Sequence, residues 1–147
     1  MNKKLKDFLF DKGYTKVKLK LTKTNHFELK ASINGIKGRF ILDTGASNSC
    51  VDFEYADMFG LEVEDSDVKA AGAGAIDMLT QVSKKNTLKI GKWKSKKSSI
   101  ILFDLTHVNT ALISHKSKPI HGIIGADILK KTKAIIDYNK KYLYLNY

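Results

Sequence analysis

Residues 39–52 read RFILDTGASNSCVD, and the fold prediction depends on this stretch. Three large apolar residues precede Asp43, and a small hydroxyl residue and a glycine follow it. An unpaired charge at the inner end of a buried strand is costly, so this carboxylate needs an explanation. Either Asp43 is a turn residue that leaves the core, or the fold holds a carboxylate near its centre for a chemical purpose.

The composition is that of one globular domain. The chain has 147 residues, 43% of them apolar, which is enough to bury a core without disulfides. Cys50 is the only cysteine, so no intramolecular disulfide is possible, and a reducing compartment is favoured. The sequence contains neither a signal-peptide pattern nor an apolar run long enough to cross a membrane. We therefore expect a cytoplasmic protein.

The net charge of +11 raises the question of a nucleic-acid partner. Arg39 is the only arginine, whereas base recognition and bidentate phosphate contacts favour the planar guanidinium group. The lysines are scattered along the chain, which is typical of a solvated surface. The sequence thus argues against nucleic acid, and a basic face for acidic partners or membrane surfaces is the less favoured alternative.

Strand patterns dominate the first half of the chain. Residues 15–22 alternate lysine and apolar side chains with a period of two, which predicts a half-buried strand. Residues 26–43 predict a hairpin that turns at Asn34-Gly35 and ends at Asp43. The segment EYADMFG, residues 54–60, predicts a short helix closed by Gly60.

The second half continues this pattern. The small residues of 70–75 indicate a mobile turn. Residues 86–105 predict two strands around Gly91, and residues 106–119 a loop or short helix. Residues 120–147 predict a strand, a glycine turn, a helix of about two turns and a hairpin near Asn139-Lys140. The fold class is therefore mostly β, with one or two short helices.

Three segments resemble the retropepsin-like (retroviral-type) aspartic proteases, in the same order along the chain. They are FILDTGASNSCVD, the small-residue run AAGAGA, and IHGIIGADILKKTKAIIDY. The resemblance spans roughly residues 26–145. It implies a small closed β barrel forming a single domain over 1–147, with a core of about 20–147 and an N-terminal extension over 1–19.

The resemblance also implies a reaction. The chain has one Asp-Thr-Gly, so a working site would need Asp43 from each chain of a homodimer. Two adjacent carboxylates share one proton, so one can activate a water while the other polarises a peptide carbonyl. Thr44 would bond across the dimer, and Gly45 would offer its N–H to the carboxylate. The function implied is an aspartic endopeptidase that acts on peptides or proteins without a cofactor or metal.

The remaining assignments follow from the same resemblance. Ala46 and a flap made by Gly72, Ala73 and Gly74 would contact substrate, although alanines stand where the family often has glycine. Gly122 and Gly125 would form the structural loop beside Asp43. The C-terminal segment KKYLYLNY could join two chains, as terminal strands do in retroviral enzymes, or could pair within its own barrel.

Other residue types carry weaker signals. Asp127 is interpreted as an early helix residue and Asp137 as a strand-end residue, neither of them catalytic. The four histidines match no compact metal-ligand spacing, and Cys50 is expected to be a small core residue. Two competing functions stay open: a catalytically silent peptide-binding or dimerisation module, and a basic adaptor for acidic polymers.

Overall fold

The computed structural model describes residues 3–70 and 78–147 and confirms a mostly β fold. Helices α1 to α3 and a 3-10 turn at Phe53–Tyr55 accompany the strands β1 to β11. The helices span Leu5–Asp11, Thr106–Ser114 and Ala126–Lys131. The strands span Tyr14–Lys18, Lys20–Leu21, Phe27–Ile33, Ile36–Leu42, Cys50–Asp52, Glu64–Ala70, Met78–Ile90, Trp93–Phe103, Gly122–Ile124, Ile135–Asp137 and Tyr142–Asn146.

Six of these strands form the closed barrel. The hydrogen-bonded order is β3-β4-β9-β5-β8-β7, and β7 returns to pair with β3, which closes the ring. Strands β2 and β6 extend the sheet at β3 and β7. The β4–β9 and β5–β8 pairs are parallel, and the other pairs are antiparallel. Closure leaves none of these six strands at an edge of the sheet.

The β3–β4 hairpin is confirmed, and its turn helps to close the barrel. Asn34 and Gly35 have φ values of 52° and 84°, the left-handed geometry that a two-residue hairpin turn requires. The Asn34 N–H donates to the Thr87 carbonyl at 2.8 Å, and the Asn34 side-chain oxygen accepts from the Thr87 N–H at 3.0 Å. The turn residue therefore fastens the hairpin to β7, next to the β3–β7 pairing.

The three apolar residues before Asp43 face two different cores. Phe40 and Leu42 lie in the larger cluster of buried side chains, whereas Ile41 lies in a second cluster with Leu112 of α2. Successive strand residues point to opposite faces, so a strand covered on both sides needs an uninterrupted apolar run. This arrangement gives Asp43 a rigid support.

The chain ends form a separate three-stranded sheet in the order β1-β11-β10. The predicted strand over 15–22 is therefore wrong as a single element: it divides between β1 in this sheet and β2 in the barrel sheet. Between the two strands, the Leu19 N–H donates to the Lys141 carbonyl, and the Leu19 side chain is fully buried. The C-terminal segment pairs within its own chain, on both of its edges.

Two helix predictions also need correction. The described residues contain three α-helices, not one or two, because Leu5–Asp11 folds as a helix within the predicted extension. The helix predicted over 54–60 is instead a 3-10 turn capped by Asp52, followed by turns up to Gly60. Gly60 has a φ of 64° and ends this segment, as expected of a C-terminal glycine. The hairpins around Gly91 and Asn139-Lys140, and helix α3, are confirmed.

Candidate active site

Asp43 lies at the ends of two neighbouring parallel strands, β4 and β9. Its backbone N–H donates to the Ile124 carbonyl at 3.0 Å, and its carbonyl accepts from the Ala46 N–H at 3.2 Å. The Asp43 carboxylate is half-buried, and its Oδ1 accepts from the Gly45 N–H at 2.9 Å. Thr44 is exposed in the single chain. The turn thus holds one carboxylate at the surface of the chain, beside an exposed hydroxyl.

A partly buried polar network fastens this loop to the start of α3. Asp127 Oδ1 accepts from the Ser49 N–H at 2.9 Å and from the Ser49 hydroxyl at 2.7 Å. The Ser49 hydroxyl oxygen in turn accepts from the Gly125 N–H at 2.9 Å, and the Ala46 carbonyl accepts from the Ala126 N–H at 2.7 Å. Bonds to an ionised carboxylate are stronger than neutral ones, so this network fixes the loop firmly.

Ser49 is a residue that sequence reasoning missed. It is 2% exposed and connects Asp127 to Gly125, whereas its position in the sequence carries no motif. The available signal was the pair Ser49 and Asp127, polar residues next to the two segments of the predicted site. Each of them would need a hydrogen-bond partner if it were buried. Asp127 does lie in the first turn of a helix, as predicted, and its side chain also accepts from the Ile128 N–H.

The two downstream glycines occur where the backbones approach most closely. A Cβ at Gly122 would lie 2.2 Å from the Cys50 carbonyl oxygen, and one at Gly125 would lie 2.5 Å from the Ala46 carbonyl oxygen. Both obstructing atoms belong to the backbone and cannot rotate away. Any side chain at either position would therefore push β9 and the start of α3 away from the Asp43 loop.

His121 joins β4 to β9 just before the glycine segment. Its ring Nδ1 accepts from the Arg39 backbone N–H at 2.9 Å, and the His121 backbone N–H donates to the Arg39 carbonyl at 2.8 Å. The ring packs edge-on against Tyr55, with centroids 4.6 Å apart. Burial first, and the Arg39 charge second, lower the pKa of His121. Only a neutral ring can accept at Nδ1, so the structure requires the uncharged form.

Cys50 is a buried residue of β5, as expected. Burial is the largest cause that raises the pKa of its thiol; a backbone hydrogen bond to Ile123 opposes it, the nearby Asp127, Asp43 and Asp52 charges add to it, and the resulting pKa is about 12. A thiol that stays protonated at neutral pH is a poor nucleophile. Cys50 therefore acts as a packing residue below the loop.

The predicted substrate contacts lie in different places. Ala46 is 5% exposed and packs in the second core cluster, so its contact with substrate stays a prediction. Gly72, Ala73 and Gly74 lie outside the described residues, and so does most of the predicted turn over 70–75. Within residues 3–70 and 78–147, no group of three or more histidine, cysteine or acidic side chains is arranged to hold a metal ion. In the same residues, no helix has both the length and the apolar character needed to span a bilayer.

A closed six-stranded barrel with an aspartate loop at its end, braced by a glycine-containing strand, is the arrangement of a retropepsin-like aspartic protease. A family model described as "Aspartyl protease" matches residues 29–128. The chain therefore belongs to the aspartyl protease family. A comparison with curated protein sequences returned no significant match.

Three solved structures with the same fold have low sequence identity to this chain, from 16% to 23%. A retropepsin-like aspartic protease from Rickettsia conorii is 23% identical over 92% of this chain and 91% of its own, with a TM-score of 0.58. EIAV protease in complex with the inhibitor HBY-793 is 18% identical over 75% and 90%, with a TM-score of 0.55. The retroviral protease-like domain of Ddi1 from Leishmania major is 16% identical over 86% and 90%, also with a TM-score of 0.55. These similarities establish the fold.

Proposed function

We propose that this protein is an aspartic endopeptidase in which Asp43 from two chains forms the catalytic dyad. The observation that carries the proposal is the presentation of Asp43. Its carboxylate is held by the Gly45 N–H at the exposed end of a braced loop, in a chain of the aspartyl protease family. A carboxylate needed only as a turn residue would have no use for the two-sided apolar support and the network below it.

The chemistry follows from bringing two such carboxylates together. Two close carboxylates cannot both ionise readily, so the pair holds one proton and titrates as a unit. The ionised member removes a proton from a water molecule as that water attacks the peptide carbonyl carbon. The protonated member donates a hydrogen bond to the carbonyl oxygen, and the shared proton later reaches the leaving amine.

The other predicted residues take supporting roles in this proposal. Thr44, exposed beside Asp43, would donate its hydroxyl across the two-fold axis and fix the two loops to each other. Gly72, Ala73 and Gly74 would cover a peptide bound in extended form, which adds to the enzyme as a strand. Backbone hydrogen bonds would then supply affinity, and side-chain pockets would supply selectivity.

The direct test is peptide cleavage by three forms of the full chain. The parent, Asp43→Asn and Asp57→Asn would be incubated with a diverse peptide library at several acid and neutral pH values. Asp57 is an exposed carboxylate near the 3-10 turn, so its replacement is the matched control. We expect cleavage by the parent and the control and none by Asp43→Asn. Equal cleavage by all three, or peptide binding without cleavage by the parent, would contradict the proposal.

A mixing experiment tests whether two copies of Asp43 are needed. Increasing amounts of the Asp43→Asn chain would be added to a fixed amount of parent, and the chains would be allowed to exchange partners. Mixed dimers would lack one carboxylate, so an equal amount of variant should reduce activity to about half. Unchanged activity would assign the chemistry to a single chain.

A further inference from the structure

Lysines that are scattered along the sequence come together on the outer face of the barrel. Lys37 of β4 pairs with Ser32 of β3, and Ser32 pairs on its other side with Lys89 of β7. Lys89 in turn pairs with Lys94 of β8. These residues form one row across four neighbouring strands, and the three lysines are exposed. Because neighbouring strands lie about 4.8 Å apart, the row is about 14 Å long.

A second basic pair lies beside this row. Two residues away along the same strands, Lys30 of β3 pairs with Arg39 of β4. Residues two apart in a strand share a face, so this pair is next to Ser32 and Lys37. Lys30 is exposed, whereas Arg39 forms an ion pair with Glu28. The exposed lysines of this face, here called the lysine patch, are Lys30, Lys37, Lys89 and Lys94.

The lysine patch opposes the stability of the free chain. Like charges directly opposite each other on neighbouring strands repel, and Lys89 stands opposite Lys94. Between the side chains that the structure describes, no ion pair involves a lysine of the patch. The repulsion is relieved when an anionic partner covers this face.

The residue types of the patch distinguish between kinds of anionic partner. Phosphate groups are best recognised by the guanidinium fork, and the one arginine of the chain is already bonded to Glu28 and to the Pro119 carbonyl. Neither row contains an aromatic or large apolar side chain, so the rows offer nothing for base stacking or for insertion into a bilayer. A row of lysine point charges suits the carboxylates of an acidic polypeptide, which need only charge to bind.

We infer that the lysine patch binds an acidic segment, rich in aspartate and glutamate, of a partner protein. Lys37 precedes Asp43 by six residues on nearly straight chain, which corresponds to about 20 Å. The acidic segment can therefore stay bound without covering the Asp43 loop. This inference goes beyond the proposed function and does not require peptide cleavage.

Binding of fluorescently labelled poly-L-glutamate to the full chain, measured by anisotropy at low salt, provides the test. The patch variant combines Lys37→Glu with Lys94→Glu. The control variant combines Lys4→Glu with Lys23→Glu, two exposed lysines outside the patch, so both variants change the net charge equally.

The two variants should differ clearly in affinity. We expect the patch variant to raise the dissociation constant about tenfold or more, because two attractive charges become repulsive ones, and the control variant to raise it less than about threefold. Added salt should weaken binding by the parent, since screening acts on exposed charges. Equal weakening in both variants would assign binding to the net charge of +11 and overturn the inference. Absence of binding by the parent at low salt would overturn it as well.

Two further probes test the choice of partner. Phosphatidylserine vesicles and poly-uridine RNA would be titrated with the same three proteins. We expect the patch and control variants to bind each of these probes equally well. A selective loss of vesicle or RNA binding in the patch variant, with poly-L-glutamate binding equal to that of the control, would identify a different partner and contradict the inference.

Urea unfolding separates a loss of binding from damage to the fold. Lys94→Glu places opposite charges across from each other at the Lys89 pair and should raise the urea midpoint of the free chain. Lys23→Glu, the matched control, should leave the midpoint nearly unchanged. Poly-L-glutamate should raise the midpoint of the parent more than that of the patch variant. A midpoint that Lys94→Glu lowers or leaves unchanged would contradict the repulsion from which the inference is drawn.

Discussion

Replacing Asp127 by alanine should weaken both the fold and the support of the Asp43 loop. One oxygen of the Asp127 carboxylate accepts three hydrogen bonds, and two of them come from Ser49, which belongs to that loop. Alanine would leave the Ser49 N–H and hydroxyl without this acceptor, and Ser49 is only 2% exposed. Asparagine would keep an acceptor oxygen in nearly the same place and lose only the charge.

The expected magnitudes separate the two variants. A hydrogen bond to a charged group contributes about 1.5–3 kcal/mol, and a buried donor left without a partner costs about 1–3 kcal/mol. Asp127 itself is only half-buried, so water can replace part of what is lost. We therefore expect Asp127→Ala to lower the free energy of unfolding by about 2–4 kcal/mol and Asp127→Asn by about 1 kcal/mol.

Urea unfolding at one fixed protein concentration would measure these differences. A double-mutant cycle with Ser49→Ala isolates the shared interaction, because Asp127→Ala should cost less when the hydroxyl is already absent. Equal losses for the alanine and asparagine variants would show that the charge, not the acceptor, matters. A loss below about 0.5 kcal/mol for Asp127→Ala, within the range of ordinary surface substitutions, would refute the bracing role.

Three further predictions concern neighbours of the loop. Gly122→Ala should lower the free energy of unfolding by more than about 3 kcal/mol, since its Cβ meets a backbone oxygen at 2.2 Å. Gly38→Ala, whose nearest neighbours are ring atoms of Phe59 and Phe40 and not backbone atoms, should cost less in the same urea assay, and the reverse order would contradict the packing argument. His121 has a lowered pKa when folded, so its neutral form stabilises the chain above the unfolded pKa of about 6.5, and this stabilisation falls as the pH drops below that value. The parent should therefore lose more stability between about pH 7 and pH 5 than His121→Asn, which keeps an acceptor, and parallel pH profiles would exclude this effect. The Cys50 thiol should react with a disulfide reagent only after denaturation, so rapid labelling of the native protein would contradict its burial.

Local turn chemistry explains why several elements could be predicted from the sequence. Asn34-Gly35 and Gly91 all adopt positive φ, which few other residues accept readily, so their hairpins are encoded within a few residues. The strand, glycine turn and helix at 122–131 likewise follow from adjacent residues. In each case the decisive interaction is short-range.

Elements that depend on distant partners could not be predicted in the same way. The lysine-apolar alternation of 15–22 looks continuous, but it is divided between two sheets because Leu19 bonds to Lys141, far away in sequence. Helix α1 has only seven residues, too few to show a helical period in the sequence, and it forms next to β1. The bracing role of Ser49 depends on Asp127, and no local pattern relates the two.

The same long-range pairings explain why Asp43 lies at a strand end that the sequence alone made puzzling. Its support is complete within one chain: apolar side chains fill both faces of β4, and the Ser49–Asp127 bonds hold the loop from the α3 side. Its surroundings are not complete, because Thr44 beside it is exposed in the single chain. In the proposed enzyme, a rigid support of this kind lets a second chain bring its own carboxylate close without reorganising either loop. The energy needed to hold the two carboxylates near each other would then come from contacts between the two chains, because the loop itself is already held in place.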